Sequence, residues 1–270
     1  MKLLIFLLFL FFIILMVFGC GVPKERPKPI PTLPTSSLEF LDHKDPLKLM
    51  IEAAIITHKA EEAILNEIKP GMYERDLKTI IDREYKEHGS TGLAFDHIVG
   101  SGPNSTDLHY AGDSRQLQAS ELVVVDIGSM YYGWCSDITR TFSTSKKYTD
   151  RQKEIYQIVL DAQTYTASQI IPGKTSLSEL DGFTISYFRK FGVEGNFTHG
   201  VTHFVAQEVH AGGNSSGPLE DGAVFTLEPG LYFPSESLGV RIEDMFTVWK
   251  GKLYRLVDGV SSNINHMEGN

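Results

Sequence analysis

Four acidic residues stand in two similar settings. Asp126 ends the apolar run Leu122-Val123-Val124-Val125, and Asp137 follows eleven residues later in Ser136-Asp137-Ile138-Thr139-Arg140. Glu228 closes Phe225-Thr226-Leu227, and Glu243 lies within Arg241-Ile242-Glu243-Asp244. A buried carboxylate without a partner is costly. Taken singly, each acid reads as half of a salt bridge, Asp137 with Arg140 and Glu243 with Arg241. Taken together they read differently. If residues 122–129 and 136–143 pair as a hairpin turning near 131–133, Asp126 and Asp137 face each other. Facing residues have Cβ atoms ~5 Å apart, where like charges repel. Glu228 and Glu243 are placed in the same way about a turn within 234–237. Carboxylates gathered like this repel unless cations lie between them, and their oxygens suit hard divalent metals.

The histidines point to the same chemistry. Three of the nine, His199, His203 and His210, fall within twelve residues. They do not form the helical HExxH zinc motif, because the glutamate is missing and Gly200 disfavours a helix. His109 precedes His210 by 101 residues.

The elements that must carry these side chains occur twice. Apolar periodicity predicts helices over 46–68 and 74–87, then over 150–171 and 177–191. Ile68-Lys69-Pro70-Gly71 matches Ile170-Ile171-Pro172-Gly173 at an offset of 102, and Gly89 matches Gly192 at 103. Asp126 and Glu228 are also 102 apart. Strand-like segments follow each helix pair, at 94–99, 122–129 and 136–143, then at 204–209, 223–228, 231–233 and 240–248. Two related halves of about 100 residues imply one α+β domain with a pseudo-twofold axis.

The order Asp126, Asp137, His203, Glu228, Glu243 resembles the five-ligand centre of the M24 metallopeptidases, the pita-bread family. The motifs VVVDIG, SDITRTF, HGxxH, LEPGLY and RIED carry the resemblance over about residues 45–258. SGPNSTDLHY and GVRIED look like its Xaa-Pro aminopeptidase and prolidase branch. The resemblance implies a pita-bread fold and an exopeptidase that cleaves the N-terminal bond of peptides with proline second. It implies two divalent metal ions, manganese by family habit, with cobalt or zinc as alternatives. Asp126 would chelate one ion, His203 and Glu228 the other, and Asp137 and Glu243 both. Glu228 would also carry a proton. His109, His199 and His210 would contact the substrate, with Tyr232, Arg241 and Thr139 in support. Thr202 and Ala206 stand where the family often has glycine, and Ala211 where an acid is common. A methionine-aminopeptidase-like activity and a non-catalytic peptide-binding module are the alternative readings.

The start of the chain has a different character. Leu3 to Phe18 are sixteen consecutive apolar residues preceded by Lys2 and followed by Gly19-Cys20. The segment resembles a bacterial lipoprotein signal in which Cys20 is lipidated. Residues 21–37 then hold five of the 12 prolines, which favours an extended spacer. The expected layout is a signal at 1–19, a lipid-anchored tether at 20–40, the M24 domain at 41–260 and a tail at 261–270. That length leaves no room for the N-terminal domain usual in proline peptidases. The location expected is the cell envelope, tied to a membrane and facing the periplasm or exterior, and the oligomeric state stays open. Removing the first nineteen residues takes one lysine, leaving 24 basic and 34 acidic residues, a net −10. That balance argues against a nucleic-acid partner. Cys135 would be the one remaining thiol, so no disulfide framework is expected.

Overall fold

The computed structural model describes residues 26–34, 36, 39 and 41–268. The apolar run, Cys20 and the first part of the spacer, residues 21–25, lie outside the described residues. Helices α1 (Pro46–Glu67) and α2 (Glu74–Glu87) pack together, as do α3 (Asp150–Ser168) and α4 (Leu180–Arg189). Local chemistry sets their starts. The Asp45 carboxylate accepts from the Leu47 N–H at 2.9 Å, with Pro46 just inside the helix. Thr149 and Gln152 form a reciprocal capping box on α3. The third helix ends three residues before the predicted 171. Ile171 precedes Pro172 and is disfavoured from helical geometry. Its N–H turns to the Thr175 hydroxyl at 2.9 Å. The fourth opens with a 3-10 turn over Leu177–Glu179, so its α-helical part starts at Leu180.

The duplication extends to backbone bonds. Gly71 N–H donates to the Leu117 carbonyl at 2.9 Å, and Gly173 N–H to the Leu219 carbonyl at 2.8 Å. All four residues are related by the offset of 102, and both leucines are buried.

Strands β1 (Gly92–Leu93), β2 (Ile98–Ser101), β3 (Leu122–Ile127), β4 (Ser129–Tyr131), β5 (Trp134–Cys135) and β6 (Ile138–Ser143) belong to the first half. They form antiparallel sheets in the orders β2-β3-β6 and β1-β4-β5. The second half contributes β7 (Val224–Leu227), β8 (Gly230–Phe233), β9 (Leu238–Arg241), β10 (Asp244–Trp249) and β11 (Lys252–Arg255). These pair antiparallel as β11-β10-β7 and β8-β9. Strand β3 is buried on both faces, which explains its unbroken apolar run.

Register decides where the acids fall. In the first hairpin Asp126 opposes Thr139, and Met130 opposes Cys135. The same register puts Asp137 opposite Gly128. The two acids are therefore diagonal neighbours on one face, not the facing pair the sequence suggested. The cause is the turn. Tyr132 and Gly133 both adopt positive φ, 47° and 83°, so the loop is centred one residue later than predicted. Gly128 allows the close crossing, because a Cβ there would lie 2.1 Å from the Ser136 carbonyl oxygen. In the second hairpin Leu227 opposes Asp244 and Gly230 opposes Arg241. Glu228 and Glu243 consequently face each other, as expected.

The predicted strands 122–129 and 240–248 are interrupted, at 128 and at 242–243, and two others depart further. Residues 94–97 leave the sheet between β1 and β2. Residues 204–209 are not a strand, and the Ala211 N–H returns to the Phe204 carbonyl at 2.9 Å. A straight strand would separate His203 from His210 by roughly 23 Å. The folded-back loop brings their ring centroids to 4.1 Å.

Part of the proline-rich stretch joins the domain. Leu33 is buried, its N–H donates to the Arg255 carbonyl at 2.9 Å, and Arg255 N–H donates to the Pro31 carbonyl at 3.0 Å. Beyond β11, helix α5 (Ile264–Met267) buries Met267. Among the described residues no helix is long and apolar enough to cross a membrane.

Candidate metal centre

Asp126 lies within β3, whereas the other three acids sit where the ladders are interrupted. Asp137 lies between β5 and β6, Glu228 after β7, and Glu243 between β9 and β10. Glu243 also pairs with the other half, its N–H donating to the Thr139 carbonyl at 3.0 Å. The Thr139 hydroxyl then donates to Glu243 Oε2 at 2.8 Å. This cross-link joins the hairpins and aims both sets of carboxylates into one cleft.

The cleft has a volume of about 730 Å³. All five proposed ligands line it, as do His109, His199, His210 and Arg241. Asp137, His203 and Glu243 each present an atom within 4.8 Å of the other two. His203 Nδ1 lies 3.2 Å from the Phe204 carbonyl, so it carries the proton that donates there. That leaves Nε2 as the free lone pair, 3.3 Å from Asp137 and 3.6 Å from Glu228. Asp126 and Glu228 line the cleft outside this tight trio.

The salt bridges read from the sequence are exchanged. Arg241 pairs with Asp126, at 2.7 Å, and not with Glu243. It also donates to the Tyr232 hydroxyl at 3.1 Å. Arg140 pairs with Asp244 at 2.6 Å, both fully buried, and not with Asp137. Arg140 donates as well to the backbone carbonyls of Glu243, at 2.6 Å, and Val260, at 3.1 Å. Removing one partner of such a buried pair costs about 3–5 kcal/mol. Asp137 and Glu243 are thus left without an arginine or lysine ion-pair partner among the described residues.

Among the proposed ligands, three buried carboxylate oxygens have no hydrogen-bond partner, Asp126 Oδ1, Asp137 Oδ1 and Glu243 Oε1; outside the cleft the same holds for Glu61 Oε1 and Asp244 Oδ2. Burial pushes the Asp137 carboxyl well up, and the Asp126 charge adds to it. Burial does the same to Glu243, followed by the charge of Asp137. Glu228 is raised by burial to about 7, with Arg241 and His203 opposing the shift. Oxygen-rich donors, one imidazole nitrogen and three unpartnered oxygens are what hard or borderline divalent cations require. The residues present fit a metal centre.

The Tyr232 hydroxyl lies 3.0 Å from His199 Nε2, and His199 Nδ1–H donates to the Gly200 carbonyl at 2.8 Å. Burial, then the Arg241 charge, lowers the His199 imidazole to about 4, so it is neutral at pH 7. His109 and His210 are exposed to the cleft. Sequence reasoning missed the far wall, which includes Lys78, Phe95, His97 and Tyr110. It also missed the Arg140–Asp244 brace, although Asp244 directly follows a proposed ligand.

The raised carboxyls generate a prediction. A folded-state value above the unfolded one means that stability is fullest below the unfolded value of 4.5 and falls as pH rises through about 7, as for Glu228. A cation that binds the ionised carboxylates removes this penalty. Adding manganese at 100 times its Kd to chelated protein should stabilise it by about 2.7 kcal/mol. At one fixed manganese concentration, the thermal shift should be larger near pH 8 than near pH 5.5. Equal shifts at both pH values would contradict binding by these acids.

Known proteins resemble this chain in sequence and in fold. The metallopeptidase family M24 profile matches residues 48–250. The uncharacterized peptidase YqhT of Bacillus subtilis (strain 168) is 37% identical over 211 residues, covering 77% of this chain and 59% of its own length. The Xaa-Pro dipeptidase of Pyrococcus furiosus is 33% identical over 223 residues, covering 81% and 63%. Zinc-substituted Escherichia coli aminopeptidase P in complex with product superimposes with a TM-score of 0.78 at 29% identity, over 86% of this chain and 59% of that one. The chain spans 59% to 63% of the length of these relatives. With this profile match and the aminopeptidase P fold behind it, the chain belongs to metallopeptidase family M24 and has the family's pita-bread architecture.

Proposed function

We propose that the protein is a dinuclear metallo-exopeptidase that hydrolyses the N-terminal bond of short peptides, with proline preferred in the second position. The observation that carries this reading is the group of unpartnered carboxylate oxygens beside His203 in an open cleft. Asp126, Asp137, His203, Glu228 and Glu243 would hold two divalent ions. When bound, such ions lower the pKa of water and polarise a peptide carbonyl. The preference for proline is supported by the Xaa-Pro dipeptidase among the relatives.

The roles of the chain's own residues follow from their surroundings. Glu228, 3.6 Å from His203 and 3.7 Å from His199 in the cleft, is placed to accept a proton from the attacking water and pass it to the departing amine. Arg241 donates to Asp126 Oδ2 at 2.7 Å and fixes the orientation of that carboxylate. Tyr232, pushed up to about 12 chiefly by burial, stays protonated. It links Arg241 to His199, so the neutral imidazole is held beside Glu228 at 3.7 Å. His109 and His210 stand at the cleft surface, where they can donate to a peptide carbonyl.

Purified protein loaded with manganese, cobalt or zinc should release the first residue from Xaa-Pro peptides faster than from Met-Xaa or unrelated peptides. Glu228→Gln should lower kcat by about a thousandfold. Cleavage of Met-Xaa peptides alone would move the assignment to the methionine-aminopeptidase type. No metal-dependent cleavage of any peptide would leave a peptide-binding module.

The same proposal places the domain at a membrane through lipid on Cys20, supported by the signal-like sequence before it. Fatty-acid labelling of the protein in bacterial cells should be lost in Cys20→Ser. Undiminished labelling, or none in the parent, would refute the anchor.

A further inference from the structure

The loop lining one side of the cleft, residues 101–115, is organised around a carboxylate that touches no proposed ligand. Glu74 opens α2 and is 0% exposed. Its Oε1 accepts from the Ser101 N–H at 2.9 Å, the Ser101 hydroxyl at 2.7 Å and the Asn104 side-chain amide at 3.0 Å. Its Oε2 accepts from the Tyr110 hydroxyl at 3.0 Å and the Arg115 N–H at 3.2 Å. The Glu74 N–H donates back to the Arg115 carbonyl at 3.0 Å. The Arg115 guanidinium reaches the group through the Ser101 hydroxyl, at 2.8 Å, and is itself paired with Glu121 at 2.6 Å.

The other side of the loop is pinned to the second half. The Gly239 N–H donates to the Ser105 hydroxyl at 2.8 Å. A Cβ on Gly239 would lie 2.0 Å from the Ser105 carbonyl oxygen. Gly239 is two residues before Arg241 on β9. The loop is therefore held between α2 and the strand that carries the partner of Asp126. Its residues Leu108, His109, Tyr110 and Ala111 form the cleft wall.

An acid in a first helical turn usually serves the helix dipole, with modest effect. Glu74 differs because loop donors take up both of its oxygens. Its desolvation is offset only if those donors stay in place. We propose that Glu74 is a positioning residue that fixes the wall at 108–111, setting His109 and Tyr110 relative to the metal ligands without touching substrate. The role in catalysis rests on the peptidase reading above.

Two variants of the full chain test it. Glu74→Gln should speed amide hydrogen exchange across 101–115 by about tenfold or more. Exchange in β3 and β6 and the number of manganese ions bound should not change. Tyr110→Phe, which removes only the bond at the cleft wall, should raise KM by roughly tenfold and change kcat by less than about threefold. Unchanged exchange in 101–115, or exchange that rises equally throughout the domain, would overturn the proposal. An unchanged KM in Tyr110→Phe would overturn it as well. If the parent cleaves no peptide, the peptidase reading fails, whereas the exchange experiment still decides whether Glu74 orders the loop.

Discussion

Carboxylates concentrated in a low-dielectric cleft repel one another, and their desolvation adds to the cost. The fold gathers Asp126, Asp137, Glu228 and Glu243 around one space and supplies one directly paired guanidinium, Arg241, which is committed to Asp126. The consequence is visible in the raised carboxyls of Asp137, Glu228 and Glu243 and in oxygens left without donors. An apolar core could not hold such a group without compensation. The helices, hairpins and braces around it can be understood as the means of holding that arrangement in place.

Each half brings a hairpin buried against its helices, and the halves meet at the acids. Glu243 pairs with Thr139 across the junction, and Arg140 donates to the carbonyls of both. The Arg140–Asp244 pair is fully buried, so the brace is stiff and costly to break. Its further bond to Val260 extends the support into the segment after β11. The histidines are carried differently. His199, His203 and His210 lie on irregular backbone, which lets side chains distant in sequence converge on the cleft.

Much of this was legible in the sequence. The helix at 74–87, the repeat offset and the facing of Glu228 with Glu243 follow from periodicity and from a turn placed midway between the acids. The first hairpin was misread by one residue at its turn, because a non-glycine residue, Tyr132, takes positive φ there. That shift turned an expected facing pair into a diagonal one. The salt-bridge partners were not legible, since Arg140 and Arg241 are each next to one acid in sequence and paired with another in space. Glu74 was hidden for a similar reason. Its position at a helix start has a sufficient local explanation, and its five donors come from a loop 27 to 41 residues away. The signal that could have exposed it is the polar density of the 101–115 loop, which needed an acceptor somewhere.

The central claim is that the carboxylates are arranged for divalent cations. The most direct measurement is the metal stoichiometry of the purified chain by calorimetric titration with manganese, repeated on Asp137→Asn and Glu243→Gln. The account predicts two ions per chain and a loss of at least one in each variant. Full occupancy in both variants, or no binding by the parent chain, would contradict it.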